Sequence, residues 1–176
     1  MKWNICISGT GGQGIVLAGI ILAEAAILED KHSIQIQSYG PEARGGASKS
    51  EVIISDQEID YPKVLTADVL LAMSQQACDK YANMLRPGGK LIVDSNSVES
   101  VPDVNAEVLQ IPFTTIAKEQ CGKAMFANII ALGALVARTG MIREESLYEA
   151  VLARVPPGTE KVNRQALASG LELGRG

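Results

Sequence analysis

The chain has 176 residues, 47% of them hydrophobic but only 4% aromatic, with a formal charge of −4. One domain of that length buries roughly 70% of its unfolded surface without metal or disulfide staples, and an aliphatic core suits buried parallel strands rather than an all-β sandwich. A net acidic chain with scattered basic residues gathers no phosphate backbone, so nucleic acid is not an expected partner.

Residues 3–8 read as a β-strand stopped by a glycine cluster, and residues 15–28 as an Ala-rich aliphatic helix ending in Glu29-Asp30-Lys31. Residues 33–38 alternate apolar and polar, and residues 51–55 repeat the alternation after a Gly- and Ser-rich loop, which predicts two more strands. Residues 69–73 form a short strand. Residues 75–85 have helical spacing and close at Arg86-Pro87-Gly88-Gly89, read as a stop signal before a strand over 90–93. A further strand over 107–111 is broken by Pro112, after which Thr114 or Thr115 is the expected cap of a helix running toward Cys121. Helices are expected over 124–138, 146–154 and 160–173, the last two separated by Pro156-Pro157-Gly158. The alternation implies an α/β fold: a Rossmann-like open, mostly parallel sheet with helices on both faces, spanning 1–176 as a single domain.

Cys6, Cys78 and Cys121 lie far apart with no CxxC pair, giving neither a disulfide framework nor a cluster-ligand spacing. A reducing, cytoplasmic setting is expected. Residues 1–8 are too brief and wrongly flanked for a signal peptide. The most apolar stretch, residues 14–28, holds Glu24 and reads as a buried helix, so no membrane association is expected.

Gly9-Thr10-Gly11-Gly12-Gln13-Gly14 satisfies G-x-G-x-x-G between the first strand and first helix, where such a loop offers backbone N–H groups and a helix N-terminus to an anion. A tight turn with close helix packing explains the same residues. The second strand ends in Gln37-Ser38-Tyr39 and lacks the acidic residue that holds a dinucleotide ribose. The segment Ser38-Tyr39-Gly40-Pro41-Glu42-Ala43-Arg44-Gly45-Gly46-Ala47-Ser48 should leave the same sheet edge and so neighbour the first loop. In it Arg44 beside two glycines offers a planar, permanent cation on an approachable backbone, the alternative being a solvated arginine on a β connection. Gly40 and Gly45 have P-loop spacing, but Gly46 and Ala47 stand at its lysine and hydroxyl positions, which argues against NTP hydrolysis. His32, the single histidine, reads as a surface residue. Asp68 and Asp94 flank strands and form a carboxylate pair only if the fold brings them together. Asn128 and Gly133 read as packing positions in an apolar helix.

These residues together resemble the gamma subunit, or gamma domain, of the 2-oxoacid:ferredoxin oxidoreductases over nearly the whole chain. Residues 7–15 followed by Ala18-Gly19 and Ala23-Glu24-Ala25-Ala26 carry one part of the likeness. Residues 38–46 with Ser50-Glu51-Val52 carry the other. Supporting matches are Ala67-Asp68-Val69-Leu70-Leu71-Ala72-Met73, Asn128 with Ala131-Leu132-Gly133-Ala134, and Asn163 with Ala166-Leu167 and Gly170. The resemblance implies coenzyme A-dependent oxidative decarboxylation of a 2-oxoacid, with thiamine diphosphate, iron–sulfur clusters and ferredoxin as electron acceptor. It implies alpha, beta and in some enzymes delta subunits as partners, which hold the thiamine diphosphate and clusters, since this chain has no Gly-Asp-Gly thiamine motif and no clustered cysteines. Pro41-Glu42-Ala43-Arg44-Gly45-Gly46 looks more like the 2-oxoglutarate type than the pyruvate type, whose version is nearer Pro-Glu-Arg-Arg-Gly-Ala. The candidate cofactor-contacting residues are Gly9, Gly11, Gly12, Gln13, Gly14, Tyr39, Gly40, Glu42, Arg44, Gly45 and Gly46, with no catalytic residue and no metal ligand expected. A free-standing Rossmann-like nucleotide-binding protein and a purely structural assembly subunit are the other two readings.

Overall fold

The structure is a computed structural model that describes residues 1–39 and 46–176, Tyr39 by its backbone alone. Six strands, β1 (Lys2–Thr10), β2 (His32–Tyr39), β3 (Ala47–Ser55), β4 (Ala67–Ala72), β5 (Leu85–Asp94) and β6 (Ala106–Ile111), form one sheet in the order β2-β3-β1-β4-β5-β6. From β1 through β4 and β5 to β6 the pairing is parallel, whereas β3 runs antiparallel to both β1 and β2. Seven residues separate β2 from β3, fewer than a parallel crossover needs, which accords with their antiparallel pairing. The mostly parallel sheet expected from the alternation is present.

Side-chain alternation along the strands divides the core. Ile5, Ile7, Val69, Leu71 and Ile92 enter one buried cluster, and their neighbours Cys6, Leu70, Leu91 and Val93 enter the other. The first face carries α1 (Ile15–Ile27), α3 (Phe113–Cys121), α4 (Ala127–Thr139), α5 (Glu144–Arg154) and α6 (Glu160–Arg175). The second carries the short α2 (Gln75–Tyr81) and loop side chains such as Val64 and Val98. Helices thus cover both faces, very unequally.

α4 is buried continuously from Ala127 to Val136, as a helix apolar all round must be. It lies against α6 with almost no side chain between them: a Cβ on Gly170 would stand 2.0 Å from the Ile130 carbonyl oxygen, and one on Gly174 2.3 Å from that of Ala134. A Cβ on Gly133 would likewise stand 2.8 Å from the Leu167 carbonyl oxygen. No single helix among the described residues is long and apolar enough to cross a membrane.

Three local readings differ from the sequence expectation. Residues 86–89 do not end a helix. α2 stops at Tyr81, a 3-10 turn follows over Ala82–Met84, and Arg86 to Gly89 lie within β5, where the register against β4 shifts. The strand tolerates these residues because the irregular register frees Gly88 to take φ 75°. Neither Thr114 nor Thr115 caps α3, whose cap position is Pro112. The cap is supplied from the turn after β5 instead. Asn96 Oδ1 accepts the Thr115 N–H at 2.9 Å, and the Thr114 hydroxyl donates to buried Asp94 at 2.5 Å. The helix expected from residue 124 begins with a 3-10 turn, Ala124–Phe126, and becomes α-helical at Ala127.

Candidate functional site

Antiparallel β3 brings two glycine-rich segments to one place. Thr10 at the end of β1 pairs with Ala47 at the start of β3, and Tyr39 at the end of β2 pairs with Ser48. The first loop and the described ends of the second segment, Tyr39 and Ala47, therefore sit at the carboxyl edge of the parallel strands, the crevice where open α/β sheets take ligands. The Ser48 hydroxyl reaches the Gly9 carbonyl at 3.4 Å, and the Tyr81 hydroxyl reaches that of Ala47 at the same distance.

The first loop is braced from within. The Gln13 side chain accepts the Thr10 N–H at 2.7 Å and donates to the Met73 carbonyl at 2.9 Å, tying the loop to the end of β4. Gln13 is thus a strut whose amide is already committed. Gly9 is required by this packing, since a Cβ there would lie 2.4 Å from Gln13 Oε1. Gly14 ends the loop at φ 72°, and Asn128 from α4 presses on it: Nδ2 donates to the Gly14 carbonyl at 3.3 Å, while Oδ1 accepts the N–H of Ile129.

Gly11 and Gly12 differ from these. Both are exposed, and among the described residues nothing lies within 4 Å of a Cβ built on either. Gly12 needs its φ of 85°, which disfavours any side chain. Gly11 has no such backbone requirement and no internal neighbour that excludes a side chain. Just beyond, α1 starts with no side-chain cap and no acidic residue in its first turn, so its N-terminal dipole is not neutralised locally.

Two clefts flank this loop. One, of about 380 Å³, lies between Thr10, Gly11, Gly12 and Ser48. The other, also about 380 Å³, runs past Gly12, Gly14 and Leu17 to Lys123, Phe126 and Asn163. Lys123 is exposed and is the one Lys or Arg among the described residues that line this second cleft. Its sequence neighbourhood does not single it out, because a lysine after a helix-ending glycine is an ordinary surface residue.

The structure thus gathers Gly9, Gly11, Gly12, Gln13 and Gly14 with the Tyr39 backbone and Gly46 at one edge. Gly40, Glu42, Arg44 and Gly45 lie outside the described residues. His32 pairs with Ser55 at the opposite end of β3, away from the loop. Asp68 and Asp94 are not a pair. Asp68, at the start of β4, accepts the Asn4 N–H at 2.7 Å and holds Arg86 at 2.6 Å, whereas Asp94 closes β5 at its other end. Cys6 and Cys78 are buried and Cys121 is half-buried on α3, and no group of three or more His, Cys, Asp or Glu among the described residues is placed to hold a metal. The described residues do not fit an iron–sulfur cluster. At Gly11 and Gly12 the backbone is left open by the described residues.

The chain is 49% identical to the 2-oxoglutarate synthase subunit KorC of Methanocaldococcus jannaschii, a match covering 99% of this chain and 95% of that one. Among solved structures, the gamma subunit of a keto/oxoacid ferredoxin oxidoreductase from Geobacter sulfurreducens superposes with a TM-score of 0.89 at 48% identity, covering 98% of each chain. At 24% identity, a 2-oxoglutarate:ferredoxin oxidoreductase from Magnetococcus marinus shares the fold with a TM-score of 0.87, this domain matching 31% of that longer chain. The family model described as pyruvate ferredoxin/flavodoxin oxidoreductase matches residues 4–173, and the chain belongs to that family.

Proposed function

We propose that this chain is the gamma subunit of a cytoplasmic 2-oxoacid:ferredoxin oxidoreductase of the 2-oxoglutarate type, and that it positions coenzyme A in a complex with alpha, beta and, where present, delta subunits. Family membership and the KorC relative support the assignment to the complex. The observation that carries the ligand role is Gly11: a glycine that neither the backbone nor any described neighbour demands, exposed beside an uncapped helix N-terminus. Glycine there permits close approach by something from outside the chain.

Coenzyme A, when bound, supplies the thiol that accepts the acyl group. This chain's contribution is to hold its phosphates. The N–H groups at Gly11, Gly12 and the first turn of α1 face that charge, the Gln13 strut and the Asn128 contact keep them in place, and Lys123 adds a cation at the second cleft. Arg44 in the second segment, outside the described residues, is the expected partner of a further phosphate or of the substrate carboxylate. Thiamine diphosphate and iron–sulfur clusters belong to the partner subunits in this reading. The isolated chain is then colourless and does not reduce a dye with any 2-oxoacid.

The test is Gly11→Ala in the co-expressed complex, with coenzyme A and 2-oxoacid varied separately. The expected result is an unchanged assembly with KM for coenzyme A raised roughly tenfold, the equivalent of one lost charge-assisted contact. Unchanged constants for both substrates would leave the loop a structural connector.

A further inference from the structure

The two edges of the sheet are treated differently. The β6 edge is guarded by charge, Glu107 holding both Lys90 and Arg138. The β2 edge has no such protection: over His32–Tyr39 it contains no Lys, Arg, Asp, Glu or Pro, and its pairing with β3 runs without a bulge from His32 to Tyr39. Long, regular, uncharged edges are templates for another strand, and natural sheets normally blunt them.

The side chains along this edge also lack a home. Ile34 and Ile36 are half-buried yet belong to neither hydrophobic cluster of the described residues. On the other face of the sheet α1 covers β2 and β3, its Gly19 pressed against Ser50 and Gln35. At 100° per residue, Ala18 and Ala25 lie on the flank of α1 that enters the core and Val16 and Ile20 on the opposite flank, while Ile27 borders a groove shared with Ala150 and Ala153 of α5. Val16 and Ile20 join neither cluster, and Ile27 is 57% exposed. The edge is thus apolar on the face of β2 that carries Ile34 and Ile36, and on the other face, where Ser33, Gln35 and Gln37 lie, the apolar surface is that of α1.

What pairs with it is indicated by the strand's own sequence. An antiparallel pair of identical strands about a two-fold axis must place residues of equal parity opposite each other, so that each sheet face continues into the same face of its mate. With Gln35 on the axis, Ile34 meets Ile36 of the second copy, Ser33 meets Gln37 and His32 meets Ser38, apolar against apolar and polar against polar. Moving the axis to Ile34 or Ile36 leaves an isoleucine facing His32 or Ser38. The two-fold that pairs the strands also brings the Val16 and Ile20 flanks of the two α1 helices toward each other.

We propose that two copies of this chain associate through β2, antiparallel about Gln35, with the outer flanks of their α1 helices packed across the same axis.

Sedimentation of the full chain should show a reversible monomer–dimer equilibrium, and Ile36→Lys and Ile20→Lys, each with an unaltered thermal melt, should raise the dissociation constant at least about tenfold by burying a charge. The register is read by cysteine cross-linking in a Cys121→Ser background. Ile34→Cys and Ile36→Cys chains should form a disulfide when mixed, and neither should do so alone. A chain that stays monomeric at high concentration, or whose single-cysteine variants cross-link equally well alone and mixed, overturns the proposal, as does a dimer that both lysine variants leave intact.

Discussion

Asn128 and Gly14 are a matched pair: the carboxamide nitrogen donates to the Gly14 carbonyl at 3.3 Å, and it occupies the space a Cβ on Gly14 would need, 2.3 Å away. Gly14→Ala therefore meets two penalties, a left-handed φ of 72° and the clash with Asn128. It should cost about 2–3 kcal/mol. Asn128→Ala alone should cost about 1 kcal/mol for the lost hydrogen bond. In the double variant the clash is gone, while the φ strain and the lost hydrogen bond persist. A double-mutant cycle by urea denaturation should thus give a total smaller than the sum of the two single changes.

The α4–α6 contact makes a sharper stability prediction. A Cβ on Gly170 would stand 2.0 Å from the Ile130 carbonyl oxygen, and no flexible side chain is there to yield. Gly170→Ala should force the helices apart and cost roughly 3 kcal/mol or more, which for a chain of this length lowers Tm by about 6–12 °C. Gly122→Ala is the comparison: φ is 82° but no described atom lies within 4 Å, so only backbone strain of about 1 kcal/mol is expected.

Thiol accessibility follows from burial. Cys6 sits fully buried in the sheet, and burial pushes its pKa up to about 12, Lys49 opposing and Glu51 reinforcing the shift. Burial also raises Cys78 and Cys121, but only Cys121 has exposed surface. A colorimetric thiol reagent at neutral pH should label one site per native chain, removed by Cys121→Ser. The other two should react only after denaturation.

How far the sequence goes can be judged at particular residues. Strand–loop–helix at residues 3–28 was legible because period-2 and period-3.6 patterns abut a glycine cluster, and the shared edge of the two glycine segments followed from strand polarity. The α3 cap was not legible: Thr114 and Thr115 look like caps locally, but Asn96, about twenty residues earlier, accepts the Thr115 N–H through the tertiary fold, and Asp94 takes up the Thr114 hydroxyl. Arg86-Pro87-Gly88-Gly89 has the composition of a helix stop, and nothing local reveals that a shifted register lets it run within a strand. Within the site, G-x-G-x-x-G does not distinguish its members. Only packing separates Gly9 and Gly14, fixed by internal contacts, from Gly11, which those contacts leave open.

Glu29 gives the pH prediction. Its side chain is only 7% exposed and joins the end of α1 to the start of α5, accepting the Arg143 N–H at 2.6 Å and pairing with Lys31 at 2.9 Å, while Lys31 also donates to the Met141 carbonyl at 2.8 Å. Burial by itself raises the carboxyl pKa, but hydrogen bonds from Lys31, the Arg143 backbone and Ser146 outweigh it and hold Glu29 below its usual 4.5. A carboxylate whose folded pKa is depressed contributes fully wherever both folded and unfolded states are ionised, and the contribution is lost as pH falls through the folded value. Glu29→Gln keeps the shape but gives up the charge and one acceptor, so it should cost about 1–2 kcal/mol near neutrality. Denaturation of the parent chain and the variant should differ by a constant amount from pH 8 down to about pH 5 and converge progressively below the ordinary carboxylate range. A difference that instead grows on acidification would mean that burial, not the Lys31 and Arg143 contacts, dominates at this residue.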